Sequence, residues 1–237
     1  MRFQTPLVPA RLIRRYKRFL ADCRLEDGRE VTAHCPNPGA MPGLAEPGQQ
    51  IWLEPNADPR RKLDFGWRLV DHENGHFTCV DTGLANRVVD EALRRKAIAP
   101  LAGHGTIRAE VAFGDRSRAD FRLQEPGLAA TWVEVKSVTL SRKPGLAEFP
   151  DCVTARGTKH LGELARAAAG GERAVLLYLV MRSDAARFAI ADDIDPAYGA
   201  AARAAAIAGV ETLVFGTSIS PAGIDLTAPL VSRVETG

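Results

Sequence analysis

The chain has 237 residues, which is long enough for one large domain or two small ones. Its charged fraction of 25% is ordinary for a globular protein, and a formal net charge of +2 is too small to indicate a polyanionic partner. The sequence has no apolar run of membrane-spanning length, no signal-peptide core at its N-terminus and no CxxC pair. We therefore expect a cytoplasmic protein that contacts no membrane and has neither a zinc knuckle nor a disulfide framework.

Residues 1–82 alternate short strand-like runs with turn-forming residues, which predicts a small barrel or sandwich. The glycine-rich stretch HCPNPGAMPGLAEPG lacks the GK[ST] ending of a P-loop, so it is predicted to be a turn. The predicted strands are YKRFLADCRL (16–25), EVTAHC (30–35), QQIWLEP (49–55), GWRLVDH (66–72) and GHFTCVD (75–81).

Residues 83–237 are predicted to follow the order α-β-β-β-α-β-α-β. Because helical crossovers produce parallel neighbouring strands, this order indicates a mixed sheet with helices on its faces. The elements begin with a helix that Asp81 or Thr82 caps and that Pro100 closes. The others are strands around 106–113, 117–124 and 131–140, a helix over 153–169, the strand RAVLLYLVM, a helix opened by Asp195-Pro196 and the strand VETLVFG.

Charged residues interrupt two adjacent predicted strands. Glu134 and Lys136 share one face of the strand TWVEVKSVTL, since residues two apart point the same way. In the preceding strand Asp120 likewise lies opposite the face of Ala119, Phe121 and Leu123. A hairpin symmetric about the turn near Gly127 pairs residues whose numbers sum to about 254. This register predicts that Asp120 and Glu134 are cross-strand neighbours.

Two adjacent carboxylates repel each other unless a cation lies between them. Oxygen ligands suit a hard divalent ion such as Mg²⁺ or Mn²⁺, and Lys136 on the same face could hold a phosphate oxygen or orient water. Such an ion activates water and polarises a phosphodiester. The alternative is a plain salt bridge in which Lys136 neutralises one carboxylate.

An acid followed by ExK on the next strand, inside an α-β-β-β-α-β order, resembles the PD-(D/E)xK nuclease core. The proline of that motif is absent, since Ala119 precedes Asp120. Nearly the whole chain also resembles the SfsA (sugar fermentation stimulation protein A) family. This resemblance rests on RYKRFLADC, HCPNPGAMPG, SRADF, VEVKSVTL, FPDCVTARGTKHLGEL and IDPAYG, in that order.

The resemblance implies a mixed α/β chain in two parts. An N-terminal OB-like β-barrel over residues 1–82 would bind nucleic acid, and residues 83–237 would form a PD-(D/E)xK nuclease-like domain. It also implies DNA as the partner, single- or double-stranded, and a link to the regulation of sugar (maltose) metabolism. Two-fold pairing is common among such cores, which allows a homodimer.

Carried over by position, the resemblance makes Asp120 and the pair Glu134 and Lys136 the catalytic residues, with both acids binding Mg²⁺ or Mn²⁺. Nuclease cores usually add an acid from the first helix, for which Glu91 is the candidate. Glu110 on the first strand is a rival. The alternative for Glu91 is a solvated helix acid that pairs with Arg94 or Arg95.

Two basic segments are the candidates for nucleic-acid contact. Alternation would put Arg14, Tyr16 and Arg18 on one side of a strand, where an OB-like surface meets bases or phosphates. The alternatives are an edge strand guarded by charge and a solvent-facing helix surface. The candidate residues are Arg14, Arg15, Tyr16, Lys17 and Arg18 in the first segment, and Arg156, Lys159 and His160 in the second.

The sequence therefore predicts a DNA-binding protein with a Mg²⁺-dependent phosphodiesterase site. A second hypothesis is a transcriptional regulator that binds DNA on a nuclease-like scaffold without cutting it. A third, an enzyme acting on a phosphorylated sugar, rests only on the family's name.

Overall fold

The computed structural model describes residues 1–56, 58–114 and 117–233. Its N-terminal part is a small OB-like barrel, as predicted. Its strands are β1 (Val8–Tyr16), β2 (Leu20–Leu25), β3 (Glu30–His34), β4 (Gln50–Pro55), β5 (Phe65–Asp71) and β6 (Phe77–Cys79). They lie in the order β3-β2-β1-β4-β5-β6, and a parallel pairing of β3 with β5 closes the barrel.

Alternating burial explains the strands of the barrel. In β2 the residues Ala21, Cys23 and Leu25 are buried while their neighbours are not. They pack in one core with Ile51 and the fully buried Trp67. Period-two patterns of this kind place one face of each strand inside the barrel and leave the other on its surface.

The prediction of a single strand over residues 16–25 is wrong. β1 ends at Tyr16, and the chain reverses at Lys17 and Arg18, whose φ angles are 48° and 62°. The amide of Phe19 donates a 2.8 Å hydrogen bond to the carbonyl of Lys17 within this turn. Because neither residue is a turn former, the sequence carried no signal for the reversal. Arg18 consequently does not share a strand face with Arg14 and Tyr16.

The second part of the chain is a six-stranded mixed sheet with helices on both faces, which confirms that prediction. Its strands are β7 (Thr106–Phe113), β8 (Ser117–Gln124), β9 (Thr131–Val138), β12 (Arg173–Val180), β14 (Glu211–Ser220) and β15 (Gly223–Pro229). Their order in the sheet is β15-β14-β12-β9-β8-β7, and the central β12 is parallel to both β9 and β14. The helices are α1 (Gly83–Arg94), α2 (Ala155–Ala169) and α3 (Pro196–Ile207).

The helices divide between the two faces of this sheet. The apolar stripe of α1, which includes Leu84 and Val88, packs with Val133 and Val135 of β9. Leu161 and Leu164 of α2 pack on the other face with Trp132. β9 is therefore buried on both sides, and Glu134 and Lys136 share the face of Trp132, which α2 covers.

Several elements were not predicted. A small second sheet holds β10 (Leu140–Lys143), β11 (Leu146–Phe149), β13 (Arg187–Ile190) and β16 (Val231–Arg233). The predicted strand over 131–140 divides at Thr139, and β15 adds an unforeseen edge to the large sheet. α1 ends at Arg94, and Pro100 instead lies in a short 3-10 helix, Ala99–Leu101. Strands of three or four residues carry too little periodicity to be read from sequence.

Among the residues described, no helix has the length and hydropathy needed to cross a membrane.

Asp195 joins the N-termini of two helices. Its carboxylate accepts a 3.0 Å hydrogen bond from the amide of Tyr198, which caps α3, and a 2.8 Å bond from the amide of Thr154. Thr154 in turn caps α2 by accepting from the amide of Gly157. Since α2 carries His160, this buried carboxylate sets the position of a residue at the site described below.

We predict that Asp195→Ala lowers the free energy of unfolding by about 2 kcal/mol, because two amides lose their acceptor. Urea denaturation followed by circular dichroism measures this loss. Asp192→Ala is the matched control, since Asp192 forms an exposed ion pair with Arg203 and its loss should cost about 0.5 kcal/mol or less. Equal losses in the two variants would contradict the role assigned to Asp195.

Candidate active site

Asp120 and Glu134 lie on adjacent strands in the predicted register. β8 and β9 pair Phe121 with Val133 and Leu123 with Thr131, so that paired numbers sum to 254. The backbone pairing of β8 with β9 ends at Phe121, so its chain neighbour Asp120 lies just beyond the paired residues. The carboxylate of Asp120 takes the place of the next backbone bond by accepting a 2.7 Å hydrogen bond from the amide of Val135.

The strands are distorted at Asp120. The register of β7 and β8 pairs Ala109 with Phe121 and Val111 with Ala119, which places Glu110 opposite Asp120. Glu110 has a φ of 54°, so the chain leaves regular strand geometry there. Ala119 packs in the cluster on the α2 side, whereas Phe121 packs on the α1 side. The prediction that these two residues share a face is therefore wrong. The irregularity between them turns the carboxylate of Asp120 towards the backbone of β9, where it contacts the amide of Val135.

Glu134 is held by two partners. Its Oε1 atom accepts a 2.7 Å hydrogen bond from the ammonium group of Lys136 and a short one from Nδ1 of His160 on α2. The plain salt bridge considered as an alternative thus exists, with a histidine added to it. Burial alone raises the pKa of Glu134, but the hydrogen bond from His160 and the charge of Lys136 outweigh it, so the pKa lies below its ordinary value.

Within the described ranges Asp120 forms no ion pair, although the charge of Lys136 acts on it. It accepts a 2.7 Å hydrogen bond from the side-chain amide of Asn86, which α1 supplies. Burial and the negative charge of Glu134 raise the pKa of Asp120 to about 6, against the bonds from Val135 and Asn86. Lys136 acts by charge on both carboxylates but bonds only to Glu134, so the two pKa values shift in opposite directions.

A cavity of about 650 Å³ surrounds these groups at the junction of the barrel and the large sheet. Asp120, Glu134 and Lys136 line one wall. Arg18 and the loop Asn37–Gly39 of the barrel line another, and Arg156 and His160 of α2 a third. The site is thus built from both parts of the chain.

The glycine-rich loop is fixed to both parts. Arg15 donates hydrogen bonds of 2.8 to 3.3 Å to the carbonyls of Asn37, Gly39 and Ala40. Asp151, from the second part, accepts a 3.1 Å bond from the amide of Met41. A Cβ atom on Gly39 would lie 2.4 Å from a carboxylate oxygen of Asp151, so the close approach requires glycine. The loop forms a turn, as predicted, and serves as a cavity wall.

The other residues of the first basic segment take different positions. Arg14 is ion-paired with Asp22 at 2.8 Å and lies over the ring of Tyr16, whose hydroxyl also binds Asp22. Arg15 is hydrogen-bonded to the carbonyls of the glycine-rich loop. Lys17 lies in the turn outside the cavity lining, and only Arg18 of this segment reaches the cavity.

The second basic segment lies partly in the cavity. Arg156 is exposed at its edge and donates a 3.4 Å hydrogen bond to Nε2 of His160, which is buried. Lys159 is paired with Glu163 at 3.6 Å and is not among the lining residues.

Glu91 is occupied by other partners. It is ion-paired with the amino group of Met1 at 2.9 Å and with Arg95 at 2.8 Å, which is the helix pairing considered as an alternative. It lines a second cavity of about 700 Å³, to which Glu110 and Asp120 also contribute. The structure therefore brings Glu91 near Asp120 but not into the cavity of Glu134 and Lys136.

The acids present suit a hard cation that keeps part of its water. Among the described residues, no three His, Cys, Asp or Glu side chains are grouped closely enough to hold a metal alone. Asp120 and Glu134 offer two carboxylates, and Lys136 and His160 both bond to Oε1 of Glu134, so that Oε2 has no hydrogen bond in the described part of the chain. Mg²⁺ commonly binds through one or two carboxylates, waters and substrate phosphates. The donor set fits such an ion.

Comparison with known proteins identifies the family. The profile described as "Sugar fermentation stimulation protein RE domain" matches residues 83–223, and "SfsA N-terminal OB domain" matches residues 13–80. The chain is 66% identical over 226 residues to a sugar fermentation stimulation protein homolog of Ruegeria pomeroyi, covering 95% of this chain and 98% of that one. This chain belongs to the SfsA family.

Further relatives cover the same extent. The homolog of Roseobacter denitrificans is 63% identical over 99% of this chain and the whole of its own. Among solved structures, Pyrococcus furiosus SfsA in complex with Ca²⁺ is 27% identical and superposes with a TM-score of 0.89 over 98% of each chain. The barrel and the mixed sheet are therefore features of the SfsA family.

Asn86 is the site residue that sequence reasoning missed. It lies beside the apolar stripe of α1, between Ala85 and Arg87, and is half-buried. The available signal was a polar residue next to a buried apolar stripe. Glu91, five residues further along α1, shows the same signal and was the predicted residue. Helix periodicity does not separate these two positions, because both border the stripe.

We predict that Asp120→Asn gains stability relative to wild type as pH rises, measured without divalent ions. The pKa of about 6 exceeds the ordinary 3.8, so the stability contributed by protonated Asp120 is fully present below about pH 4 and is lost as pH rises through 6. From about pH 5 to about pH 7.5 the relative gain should be about 1 kcal/mol.

Asp22→Asn is the control for this measurement. The hydrogen bond from Arg14 lowers the pKa of Asp22, so its titration lies below the range tested and its stability difference should stay constant. A pH-independent difference for Asp120→Asn would contradict the raised pKa assigned to this half-buried carboxylate.

Proposed function

We propose that this chain is a DNA-binding protein that hydrolyses phosphodiester bonds with a bound divalent cation. The observation that carries the proposal is the pair of carboxylates, half-buried Asp120 and buried Glu134, which share a cavity with Lys136 and whose pKa values shift in opposite directions. Buried like charges with divergent pKa values are typical of sites that bind metals or transfer protons.

The solved relative supports the kind of ion. Pyrococcus furiosus SfsA is described in complex with Ca²⁺, a hard cation that takes oxygen ligands. By similarity, Asp120 and Glu134 would hold a divalent ion, with Mg²⁺ or Mn²⁺ as the catalytic choice. Such an ion would lower the pKa of a bound water and polarise the scissile phosphate.

The residues of the chain would divide the remaining tasks. Lys136 is bonded to Glu134 in this structure. On substrate binding its ammonium group would move to a phosphate oxygen and offset the negative charge that develops during hydrolysis. His160 would keep the carboxylate of Glu134 oriented through the bond from Nδ1. Arg18 and Arg156, at the walls of the cavity, would bind phosphates on either side.

A regulator without hydrolysis is the second candidate. It is favoured by one observation, that Oε1 of Glu134 already accepts hydrogen bonds from Lys136 and His160. The relatives' name, sugar fermentation stimulation protein, fits a regulatory link to sugar metabolism. Metal binding and turnover separate the two candidates.

We predict that Mn²⁺ binds with at least tenfold weaker affinity to Asp120→Asn, because one of two anionic ligands is lost. Isothermal titration calorimetry of wild type and variant measures this. Asp90→Asn is the matched control, since Asp90 is paired with Arg94 on α1 and should leave affinity unchanged. Equal affinity in wild type and Asp120→Asn would contradict the metal site.

We predict that Lys136→Ala lowers Mn²⁺-dependent cleavage of DNA by about 100-fold, because the charge at the phosphate is lost. Gel assays on single- and double-stranded DNA measure the rate, and Mn²⁺ binding should persist in the variant. Lys143→Ala, an exposed cation of β10, is the control. Salt-sensitive DNA binding with no turnover in wild type would reject hydrolysis and favour the regulator.

A further inference from the structure

The tip of the β1–β2 turn exposes an aromatic platform. The side chain of Phe19 is 45% exposed, although it is a large apolar group. Its ring stacks on that of His34, which is also exposed, with centroids 6.5 Å apart and planes at 28°. The left-handed residues Lys17 and Arg18 hold the tip, so the ring is displayed by a constrained turn. An exposed aromatic pair on an OB-like surface has the geometry on which unpaired bases stack.

A barrel pocket of about 460 Å³ adjoins this platform. His34 is one of its lining residues and thereby joins the two features. Leu63 and Phe65 give it apolar and aromatic surface. Its volume lies within the range of pockets that hold small ligands, so it has room for a nucleotide.

Two cations at the pocket form no close ion pair with the described residues, although the charge of Arg61 acts on Asp58. Arg61 and Lys62 are exposed and line the pocket, and neither forms an ion pair within the described ranges. The adjacent Arg60, by contrast, pairs with Asp58 at 2.8 Å and does not line the pocket. Inside the pocket, Arg68 is ion-paired with Glu54 at 2.7 Å and also with Asp81. Arg61 and Lys62 therefore supply the exposed positive charge at this pocket, which suits phosphates.

The platform also adjoins the candidate active site. Arg18, which immediately precedes Phe19, lines the cavity of Glu134 and Lys136. Arg18, Phe19 and His34 therefore link that cavity to the barrel pocket, through adjacency in the chain, the ring stack and the pocket lining. Cationic groups lie at both ends of the aromatic pair, a combination found in grooves for single-stranded nucleic acid.

We propose that the barrel binds an unpaired strand of nucleic acid, with bases stacked on Phe19 and His34 and phosphates held by Arg61 and Lys62. The inference rests on the proposed function for the presence of DNA at the cavity, and it adds that the substrate is single-stranded in this segment. A duplex keeps its bases stacked inside the helix and offers none to the platform.

Fluorescence anisotropy in EDTA tests the proposal, since binding is then measured without hydrolysis. The probes are oligothymidine of about 16 nucleotides, an abasic strand of equal length and a duplex of equal length. The abasic strand keeps the phosphates and lacks the bases, so it separates stacking from charge.

We expect Phe19→Ala to weaken oligothymidine binding about tenfold and to leave the abasic strand and the duplex unchanged. Phe19→Trp should retain affinity for oligothymidine, because the aromatic face is restored. Ile207→Ala, at an exposed apolar residue of α3, is the matched control and should bind like wild type. Arg61→Ala should weaken oligothymidine and abasic strand alike, whereas Arg60→Ala should weaken neither.

Two results would overturn the proposal. One is oligothymidine binding by Phe19→Ala at the wild-type affinity, and the other is equal wild-type affinity for oligothymidine and the abasic strand. Either could occur while wild type still cleaves DNA with Mn²⁺, so that only this inference fails. Conversely, stacking-dependent binding without any cleavage would support the inference and reject the hydrolytic function.

Discussion

The repulsion between two carboxylates on adjacent strands governs the geometry of the site. Glu134 is buried and Asp120 is half-buried, and an ionised acid in such a place is costly unless charges or hydrogen bonds compensate it. Glu134 is compensated by Lys136 and His160. Asp120 accepts hydrogen bonds from Val135 and Asn86 and feels the charge of Lys136, yet its pKa is raised to about 6. The pair thus stores an unfavourable interaction in the folded protein that a divalent ion would relieve.

The surrounding fold maintains this costly arrangement. The regular pairing of β8 with β9 ends at Phe121, and the carboxylate of Asp120 takes the place of the next backbone acceptor. α2 brings His160 to the opposite side, and its N-terminus is tied to α3 through Asp195. Apolar packing on both faces of β9 stabilises the fold and offsets the cost of the charged groups at the site, as is common where function requires strain or buried charge.

The junction between barrel and sheet gives the site its second wall. Arg15 fixes the loop Asn37–Gly39 through its carbonyls, and Asp151 approaches the same loop from the second part of the chain. Arg15 thus acts on the site by shaping the cavity, whereas Arg18 lies in the cavity itself. Two basic residues three positions apart have different tasks because the turn after Tyr16 reverses the chain between them.

The sequence by itself determined the layered α/β part and its key register. Period-two and helical patterns are local, so they predicted β7, β8, β9 and the helices, and the hairpin sum placed Asp120 beside Glu134. Only the tertiary structure decided that Asn86 rather than Glu91 bonds to Asp120, that His160 reaches Glu134, and that Arg18 leaves its strand. These outcomes depend on where distant elements pack and on one left-handed turn, and neither leaves a periodic trace in the chain.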